Sequence, residues 1–507
     1  KRMQPSIIAA MISDSSPFVS QNGTENTKTK PKNEEKNMLP KEVDIRTGKD
    51  MSCTCFGYTR FVILIVGLLC MTATRANEMS FNLTVICMTS NSSIDGVDTI
   101  PLSPAETTIV FGGVGTGAFL FAIPLAYALH RFGARMVFGV VLLLSSMATA
   151  LLPLAARHGI LWMLTARVIQ GIALAAVMPM LGCISSQWAP VNEVGNFVTM
   201  LSAAGQLSQM FTMPVAAHLC VTSGWPSAYY VHATISASLA ILFIAFYQNS
   251  PAKHSCVSKK ELFRITEGVE RRRRKEMKIP YRAIARSHAV WGVWIGFFGN
   301  SCGFQLIVQF MPTYLNKVLN VPIERTGLSA IIPPLVQFIV KMVAGIASDR
   351  ITCISERRKL QLFNTLALGG CALFLMPLGF ISPNYANIAL LCFTISISCI
   401  GLVTCGSMKS AALIAKSFTQ FVMAVVQQVI CFGMLFVPFL VSWLAPDNTI
   451  EEWRMLVLVI AVILLVANAL FCYLCSAEPE PWAIFPSVDT ATSHLNNQND
   501  DELQKNP

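Results

Sequence analysis

One arginine stands inside a long apolar run. Arg167 lies in the stretch LTARVIQGIALAAVMP, which runs from Leu164 to Pro179 and contains no acidic residue. A guanidinium group binds a carboxylate or a phosphate through two parallel hydrogen bonds, so this residue type in this setting indicates anion binding or gating. The alternative is a structural tie to main-chain carbonyls or to another helix. The sequence leaves both interpretations open.

A second pair of charges lies in the first apolar run. Arg75 and Glu78 are three residues apart, so they share one face of a helix and can neutralise each other. A charge at the bilayer centre costs about 2.5–3.5 kcal/mol on insertion scales, and such residues therefore face the interior of a helix bundle. We expect mutual neutralisation. In the sharper alternative, Arg75 is a substrate-binding cation and Glu78 carries a coupled proton.

Other polar residues recur inside apolar runs and together predict a polar path between helices, although singly each is equally typical of interhelical hydrogen bonding. We expect Lys341 to extend toward the cytoplasmic face and Lys409 to lie at the membrane interface. His218 and His232 are more typical of hydrogen-bonded buried histidines than of a proton relay. The polar amides are Asn77, Asn82, Gln206, Gln209, Asn300, Gln305, Gln309, Gln427 and Gln428.

Long apolar helices must position these side chains. The chain has 507 residues, of which 53% are hydrophobic and 13% are charged, against about 25% charged in soluble proteins. A helix needs about 20 apolar residues to cross a bilayer. The sequence therefore predicts an all-α polytopic membrane protein with twelve spans, near residues 58–88, 105–128, 134–155, 160–186, 193–220, 226–247, 287–312, 326–348, 360–381, 385–407, 415–445 and 453–475.

Charge patterning predicts the topology. Residues 248–286 contain the tract ERRRRKE and much of the net charge of +10, which is typical of a cytoplasmic loop rather than of nucleic-acid binding. Residues 89–104 carry no lysine or arginine, so we expect them on the outer side, with glycosylation at Asn91. The expected organisation is a disordered cytoplasmic segment 1–57, six spans in 58–247, the basic loop 248–286, six spans in 287–476 and a cytoplasmic tail 477–507.

Several sites of soluble enzymes are not indicated. The sixteen cysteines lie mostly in apolar runs, and the pair Cys472 and Cys475 has no companion pair, which argues against zinc. The glycines in GGVGTGA, Gly112 to Ala118, are not followed by the lysine of a nucleotide loop. Small residues at this spacing instead predict close helix packing. We therefore expect no metal, no cofactor and no enzymatic activity.

Two short loops occupy matching places in the two halves and resemble the loop signature of the major facilitator transporters. The sequence AYALHRFGAR, which ends at Arg135, joins spans two and three, and GIASDR, which ends at Arg350, follows span eight. The first copy has His130 where the signature has an acid. The resemblance implies conformational roles for Arg131, Gly133, Arg135, Gly345, Asp349 and Arg350.

Five motifs in order narrow the resemblance. They are ARVIQG from Ala166, SSQWAPVNEVGNFVT from Ser185, GWPSAYYV from Gly224, EEWR from Glu451 and AEPEPWA from Ala477. Together they resemble the anion–cation symporter branch of the facilitators, which contains sodium–phosphate cotransporters, sialin and vesicular glutamate transporters. The resemblance covers about residues 58–485. It implies two six-helix halves that move an organic anion or phosphate by alternating access, with sodium, protons or membrane potential as driving force.

The chain departs from this branch at several charged positions. Ser80 stands where the branch has a span-one arginine, Leu174 replaces the acid of span four, Asn300 replaces the arginine of span seven, and Phe111 aligns with the histidine of the vesicular members. Only Arg167 matches. Because span seven lines the path in this family, Asn300 and Gln305 are the best candidates for that lining. The coupling ion therefore stays open.

Two functions fit the sequence. The first is secondary active transport of a small anionic solute, with sodium or a proton as possible co-substrate; the second is a transport-incompetent receptor or scaffold with the same fold. We expect a multi-pass protein of the plasma membrane or of a lysosomal or vesicular membrane. The resemblance implies a monomer, and the lipid bilayer is the only other partner expected.

Overall fold

The computed structural model describes residues 58–89, 99–190, 193–266, 280–351, 353–382, 385–415 and 418–483. This part of the chain is helical and contains no strand. Twelve long helical stretches, some of them interrupted, occupy the predicted spans. They are α1 Thr59–Thr89, α2 Pro104–Phe132, α3 Ala134–His158, α4 Ile160–Ala175 with Val177–Trp188, α5 Val194–Ser202 with Ala204–Thr222, α6 Trp225–Phe246, α7 His288–Thr313, α8 Ile323–Ser329 with Ile332–Arg350, α9 Glu356–Leu375, α10 Ala386–Ile400 with Ser407–Ala415, α11 Thr419–Leu444 and α12 Ile450–Leu474.

Ten of these stretches are long and apolar enough to cross a membrane, within the described residues. The two outside that group are α5 and α7. Both carry several interior polar residues, as expected of helices that face other helices rather than lipid. The prediction of an all-α polytopic membrane protein is confirmed. Residues 1–57, Asn91, the basic tract Arg271 to Arg274 and the tail beyond residue 483 lie outside the described part.

Glycines hold α2 unusually close to α4. A Cβ atom added to Gly117 would lie 2.2 Å from the main-chain oxygen of Val168, and one added to Gly171 would lie 2.2 Å from that of Val114. Gly113 and Gly117 are four residues apart and so share this face. Since no other residue lacks a Cβ, glycine at these positions is what permits the approach. The close packing predicted from GGVGTGA is therefore present.

The other face of α2 meets the second half of the molecule. A Cβ at Gly115 would lie 3.0 Å from Cγ of Leu435 and 3.2 Å from Cβ of Met434, both on α11. Gly112 is looser, since its Cβ would meet Leu435 at 3.7 Å. The neighbours on this side are side-chain atoms, whereas on the α4 side Gly117 meets main-chain atoms and Gly113 meets Cβ of Arg167 and Cδ1 of Leu164, both at 2.9 Å. Helix α2 thus has one rigid and one adaptable face.

The hydrophobic core is shared at one end of the molecule and divided at the other. At the predicted outer end, one cluster joins both halves, with Phe81 and Phe111 packed among Phe310, Leu306 and Trp453. At the predicted cytoplasmic end the described residues form two large clusters and a small one of Ala344, Phe363 and Cys405. One large cluster belongs to α1–α6 and the segments flanking them, with two residues of α11, and the other belongs to α7–α12 and the segments flanking them. The apolar core is therefore continuous between the halves at the outer end, whereas toward the cytoplasm each half has its own core and the described contacts across the seam include polar bonds between α5 and α8.

Candidate functional site

Arg167 is buried at the centre of the first half, with 2% of its surface exposed. Its Nη1 donates to the main-chain oxygen of Glu78 on α1 at 2.9 Å and to Oε1 of Gln170 at 2.8 Å. Its Nε reaches the main-chain oxygen of Val110 on α2 at 3.4 Å. Gln170 in turn donates to Thr149 of α3 at 2.8 Å. The arginine thus links four helices.

The charge of Arg167 is solvated by dipoles rather than cancelled by an acid. Among the described residues, no carboxylate forms an ion pair with it, and its guanidinium also lies 4.8 Å from the centre of the Phe81 ring. Carbonyl and amide oxygens satisfy hydrogen bonds but carry no full charge. The contacts therefore show a structural tie, in which no carboxylate bonds directly to the guanidinium, and the anion-binding interpretation stays a prediction.

Arg75 and Glu78 form the ion pair that their spacing predicts. Nη1 of Arg75 lies 3.4 Å from Oε2 of Glu78, with 19% and 7% of the two side chains exposed. The carboxylate is therefore engaged within its own helix, while the main-chain oxygen of the same residue accepts from Arg167. The pair contributes no net charge to the interior.

The amides of α7 supply polar groups in the interior of the second half. Gln305 is 3% exposed and accepts from Nε2 of Gln309 at 3.0 Å. Oδ1 of Asn300 and Oε1 of Gln309 are buried, and neither has a hydrogen-bond partner among the described residues. Asn82 of α1 donates across the seam to the main-chain oxygen of Val308 at 3.3 Å. The structure thus places the two candidates of α7 in the interior but does not bring them into contact with Arg167.

Lys341 differs from its sequence prediction. It does not extend to the cytoplasmic face but stays half-buried, and its Nζ donates to Oγ of Ser202 on α5 at 3.2 Å. One turn earlier on α8, Gln337 accepts from Gln206 of α5 at 3.3 Å. The expectation failed because α5 offers a polar partner across the seam, which a single sequence does not reveal. Lys409, in contrast, pairs with the half-exposed Glu356 at 3.2 Å, as an interfacial lysine can.

An aromatic contact chain joins Arg167 to the second half. Phe81 meets Phe111 edge to face at 4.9 Å, and Phe111 meets Phe310 of α7 at 5.0 Å. Phe111 and Phe310 also line a cavity of about 440 Å³ at the predicted outer end, between α1, α2, α7 and α11. The ring contacts thus run without a break from the lining of that cavity to the arginine. Sequence reasoning missed them because nothing marks three phenylalanines among thirty.

Comparison with known proteins now decides the family. The Major Facilitator Superfamily matches residues 56–432, which is more than half of the chain. The chain belongs to the major facilitator superfamily. Among its relatives are human sialin, 23% identical over 74% of this chain and 76% of that protein, and rabbit (Oryctolagus cuniculus) sodium-dependent phosphate transport protein 1, 24% identical over 85% and 96%. Human vesicular glutamate transporter 2 is 25% identical over 88% and 79%.

Solved structures agree on the fold. An inward-facing bacterial homologue of the human lysosomal transporter Spinster superposes with a TM-score of 0.64 at 14% identity, covering 82% of this facilitator and 97% of that chain. A D-xylose–proton symporter superposes with a TM-score of 0.61 at 16% identity, over 84% and 98%. These likenesses concern the fold alone. The relatives confirm the resemblance to the anion–cation symporter branch.

In the first half, Arg135 of the facilitator loop motif joins two helix ends. Nε of Arg135 donates to the main-chain oxygen of Ile244 at 2.6 Å and Nη1 to Gln248 at 3.2 Å, which ties the start of α3 to the end of α6. Gly133 has φ +88°, and a Cβ there would lie 2.3 Å from Nδ2 of Asn249. Arg131 is exposed. Glycine at this turn therefore has both a conformational and a steric reason.

In the second half, Arg350 is exposed and a Cβ at Gly345 would meet open space. The side chains of His130 and Asp349 lie outside the described residues.

At the other departures from the branch pattern, Ser80 is buried and donates to the main-chain oxygen of Asn77, and Leu174 is buried in the core of the first half.

A cytoplasmic-end ion cluster was not foreseen. Glu193, in the α4–α5 connection, pairs with Arg60 at 3.1 Å and with Arg264 at 2.9 Å. The main-chain N–H of Arg60 also donates to the buried Glu261 at 2.9 Å. The partners lie more than 70 residues apart in sequence, so no local spacing signals them. The cluster fastens the helix Lys259–Thr266 to the start of α1.

His254 stabilises the same region. It accepts from the main-chain N–H of Cys256 at its Nδ1, at 3.2 Å, while its Nε2 donates to the main-chain oxygen of Phe246 at 3.0 Å. Burial lowers the pKa of His254 below its usual range, since the charged imidazolium is poorly solvated there. The neutral ring is therefore the form that fits this site.

Proposed function

We propose that this facilitator transports organic anions or phosphate as a secondary active transporter, by alternating access of its two six-helix halves. The observation that carries the proposal is the charge of the interior. Among the described residues within the spans, Arg75 is matched by Glu78, but Arg167 and Lys341 have no acidic partner. Uncompensated charge in a low-dielectric interior is costly, and an anion bound nearby would compensate it.

The arrangement of the cores supports alternating access. A joined outer end and a divided cytoplasmic end is one of the two states that such a cycle requires, because a solute can then enter or leave from one side only. We infer that the contact between Phe111 and Phe310 closes the outer route in this state. The relatives named sialin, phosphate and glutamate transporters are consistent with an anionic solute.

Arg167 and Glu78 are the proposed functional pair in this half. The guanidinium of Arg167 would attract the solute through its charge and hold α1, α2 and α4 in the register that binds it. Arg75 would join the site when Glu78 takes up a proton, because protonation breaks their ion pair. Asn300 and Gln305 would line the path on the side of α7.

Reconstitution into liposomes tests the proposal. Uptake of phosphate, glutamate, sialate, urate and nucleotides is measured under imposed proton, sodium and potential gradients. We expect saturable uptake of at least one anion. If correctly inserted protein takes up none of these solutes, the proposal of transport is wrong and the receptor or scaffold alternative is favoured. The observation that motivates this alternative is the lack of a free acid near Arg167.

Two variants test the residue roles. Arg167→Ala should lower the rate or the affinity of uptake, and unchanged kinetics would refute its role. Glu78→Gln should reduce the dependence of uptake on a proton gradient while solute binding persists. If the proton dependence of Glu78→Gln equals that of the wild type, another group couples the proton or no proton is coupled.

A further inference from the structure

Lys341 occupies the seam between the halves. It lies nine residues before the end of α8 at Arg350, which is about 13 Å of helix. Lys341 and Gln337 are four residues apart, so both project toward α5, where Ser202 and Gln206 receive them. Substrate sites of facilitators lie between the two repeats at this level of the bilayer. The ammonium group is therefore in the right layer and on the right surface to meet a solute.

The hydroxyl of Ser202 does not account for the charge. A neutral acceptor satisfies one of the three N–H donors of a lysine and none of its charge. Within the described residues, no carboxylate pairs with Lys341. Lys409, near the cytoplasmic end of α10, lies 3.2 Å from the carboxylate of Glu356, which it shares with Lys359. The contrast between these two lysines marks Lys341 as the one that lacks an internal partner.

The balance of charge between the halves indicates what the partner is. After Arg75 and Glu78 cancel, and apart from Lys359 and Lys409, which share Glu356 at the cytoplasmic end, the described interior retains one cation in each half, Arg167 and Lys341. An anion with a single charge would leave one of them uncompensated. An anion with two negative charges neutralises both and attracts both halves toward itself, which favours closure around the solute.

We propose that Lys341 is the substrate-binding cation of the second half and that the preferred solute is a dianion, such as a dicarboxylate or a phosphate monoester. This inference rests on the proposed function and names the substrate class of its site. The bond to Ser202 then holds the ammonium at the seam until the solute replaces the hydroxyl.

Matched pairs of probes test the charge preference in proteoliposomes. Succinate and succinamate have the same length and differ by one charge, as do methyl phosphate and dimethyl phosphate. The wild type should transport a dianion more effectively than the monoanionic partner of that dianion. In an inhibition assay, the dianion should likewise be the stronger inhibitor of uptake. Lys341→Gln should lower kcat/KM for the dianion about 10- to 100-fold, the range for losing a charged hydrogen bond, with a smaller effect on the monoanion. Lys341→Arg should retain part of the preference.

Two control variants separate binding from structure. Lys409→Gln removes a lysine that already has an internal counter-ion, and Ser202→Ala removes the tie across the seam but keeps the ammonium. Both should keep the wild-type preference for the dianion. Lys341→Met, which replaces the charge by an apolar chain of similar length, provides a second folded variant if Lys341→Gln is lost during purification.

The outcomes are distinct. If the wild type takes up an anion but shows no preference for dianions, or if Lys341→Gln and Lys341→Met keep that preference, the inference is wrong while transport stands. If Ser202→Ala loses the preference as fully as Lys341→Gln, the lysine is only a tie between α5 and α8. If correctly inserted wild type takes up nothing in either panel, the proposed function itself fails.

Discussion

Gly171→Ala directly tests the close contact between α2 and α4. The added methyl group would lie 2.2 Å from the main-chain oxygen of Val114, and Gly117 faces Val168 at the same distance from the other side. Both obstacles are main-chain atoms, so no side-chain rotation relieves the overlap. Because non-bonded heavy atoms pack best at about 3.5–4.0 Å, the two helices must move apart by roughly 1–2 Å.

The cost follows from overpacking. Extra methyl groups forced into a packed interior cost about 1–3 kcal/mol, and the better helix propensity of alanine returns at most about 1 kcal/mol. A net loss of about 1–2 kcal/mol is expected from these two effects. The displacement would also break the bond from Nε of Arg167 to Val110, which at 3.4 Å is already long. Stability and anion uptake should therefore fall together in Gly171→Ala.

Thermal unfolding of the purified protein in detergent, followed by size-exclusion fluorescence, measures the effect. The matched control is Gly112→Ala on α2, whose methyl group would meet Leu435 at an ordinary 3.7 Å. We expect a lower Tm for Gly171→Ala and an unchanged or higher Tm for Gly112→Ala. Equal Tm values for the two variants would refute the argument from close packing.

Three further predictions concern the predicted cytoplasmic end. Gly133→Ala should lower Tm because φ is +88° and the methyl group clashes with a neighbouring amide, whereas Gly345→Ala, which meets open space, should not. Burial lowers the pKa of His254, so the stability that its neutral ring contributes should be full above about pH 6.5 and should decline on acidification. In His254→Asn, Tm should change less with pH between about pH 7.5 and 5.5. A dependence of Tm on pH equal to that of the wild type would contradict this. Glu193→Gln should clearly lower Tm, because the side chain of Arg60, which is 5% exposed, loses its carboxylate partner. The loss of unfolding free energy should be smaller than the roughly 3–5 kcal/mol of a fully buried pair. A Tm equal to that of the wild type would show that the pair does not stabilise the fold.

The sequence predicted the helices well because hydrophobic runs of span length have few alternatives in a membrane. It also predicted the Arg75–Glu78 pair and the close packing at Gly117, since both depend on neighbours three or four residues apart along one helix. The interruptions within spans were not predicted. Helix α5 breaks at Ala203, and Gly401–Thr404 forms a short 3₁₀ segment within α10; each depends on the helices packed around it.

The candidate site was predicted less completely than the fold. Arg167 was recognisable as a buried cation, but its partners are main-chain oxygens, which have no signature in a sequence. Lys341 was expected at the membrane surface because distance from a helix end does not reveal a partner on another helix. The cluster around Glu193 joins segments that are distant in sequence. In each case the missing information is tertiary contact.

The two glycine faces of α2 have a mechanical consequence. Against α4 the helix is locked by main-chain contacts, so the two move as one body. Against α11 it contacts Leu435, whose side chain can change rotamer, and Cβ of Met434, which moves only with the main chain. Helix α2 is therefore attached rigidly to α4 in the first half and contacts the second half partly through a side chain that can repack. The ease with which side chains repack at this contact, rather than the stability of either half, would then set how readily the two halves rotate against each other.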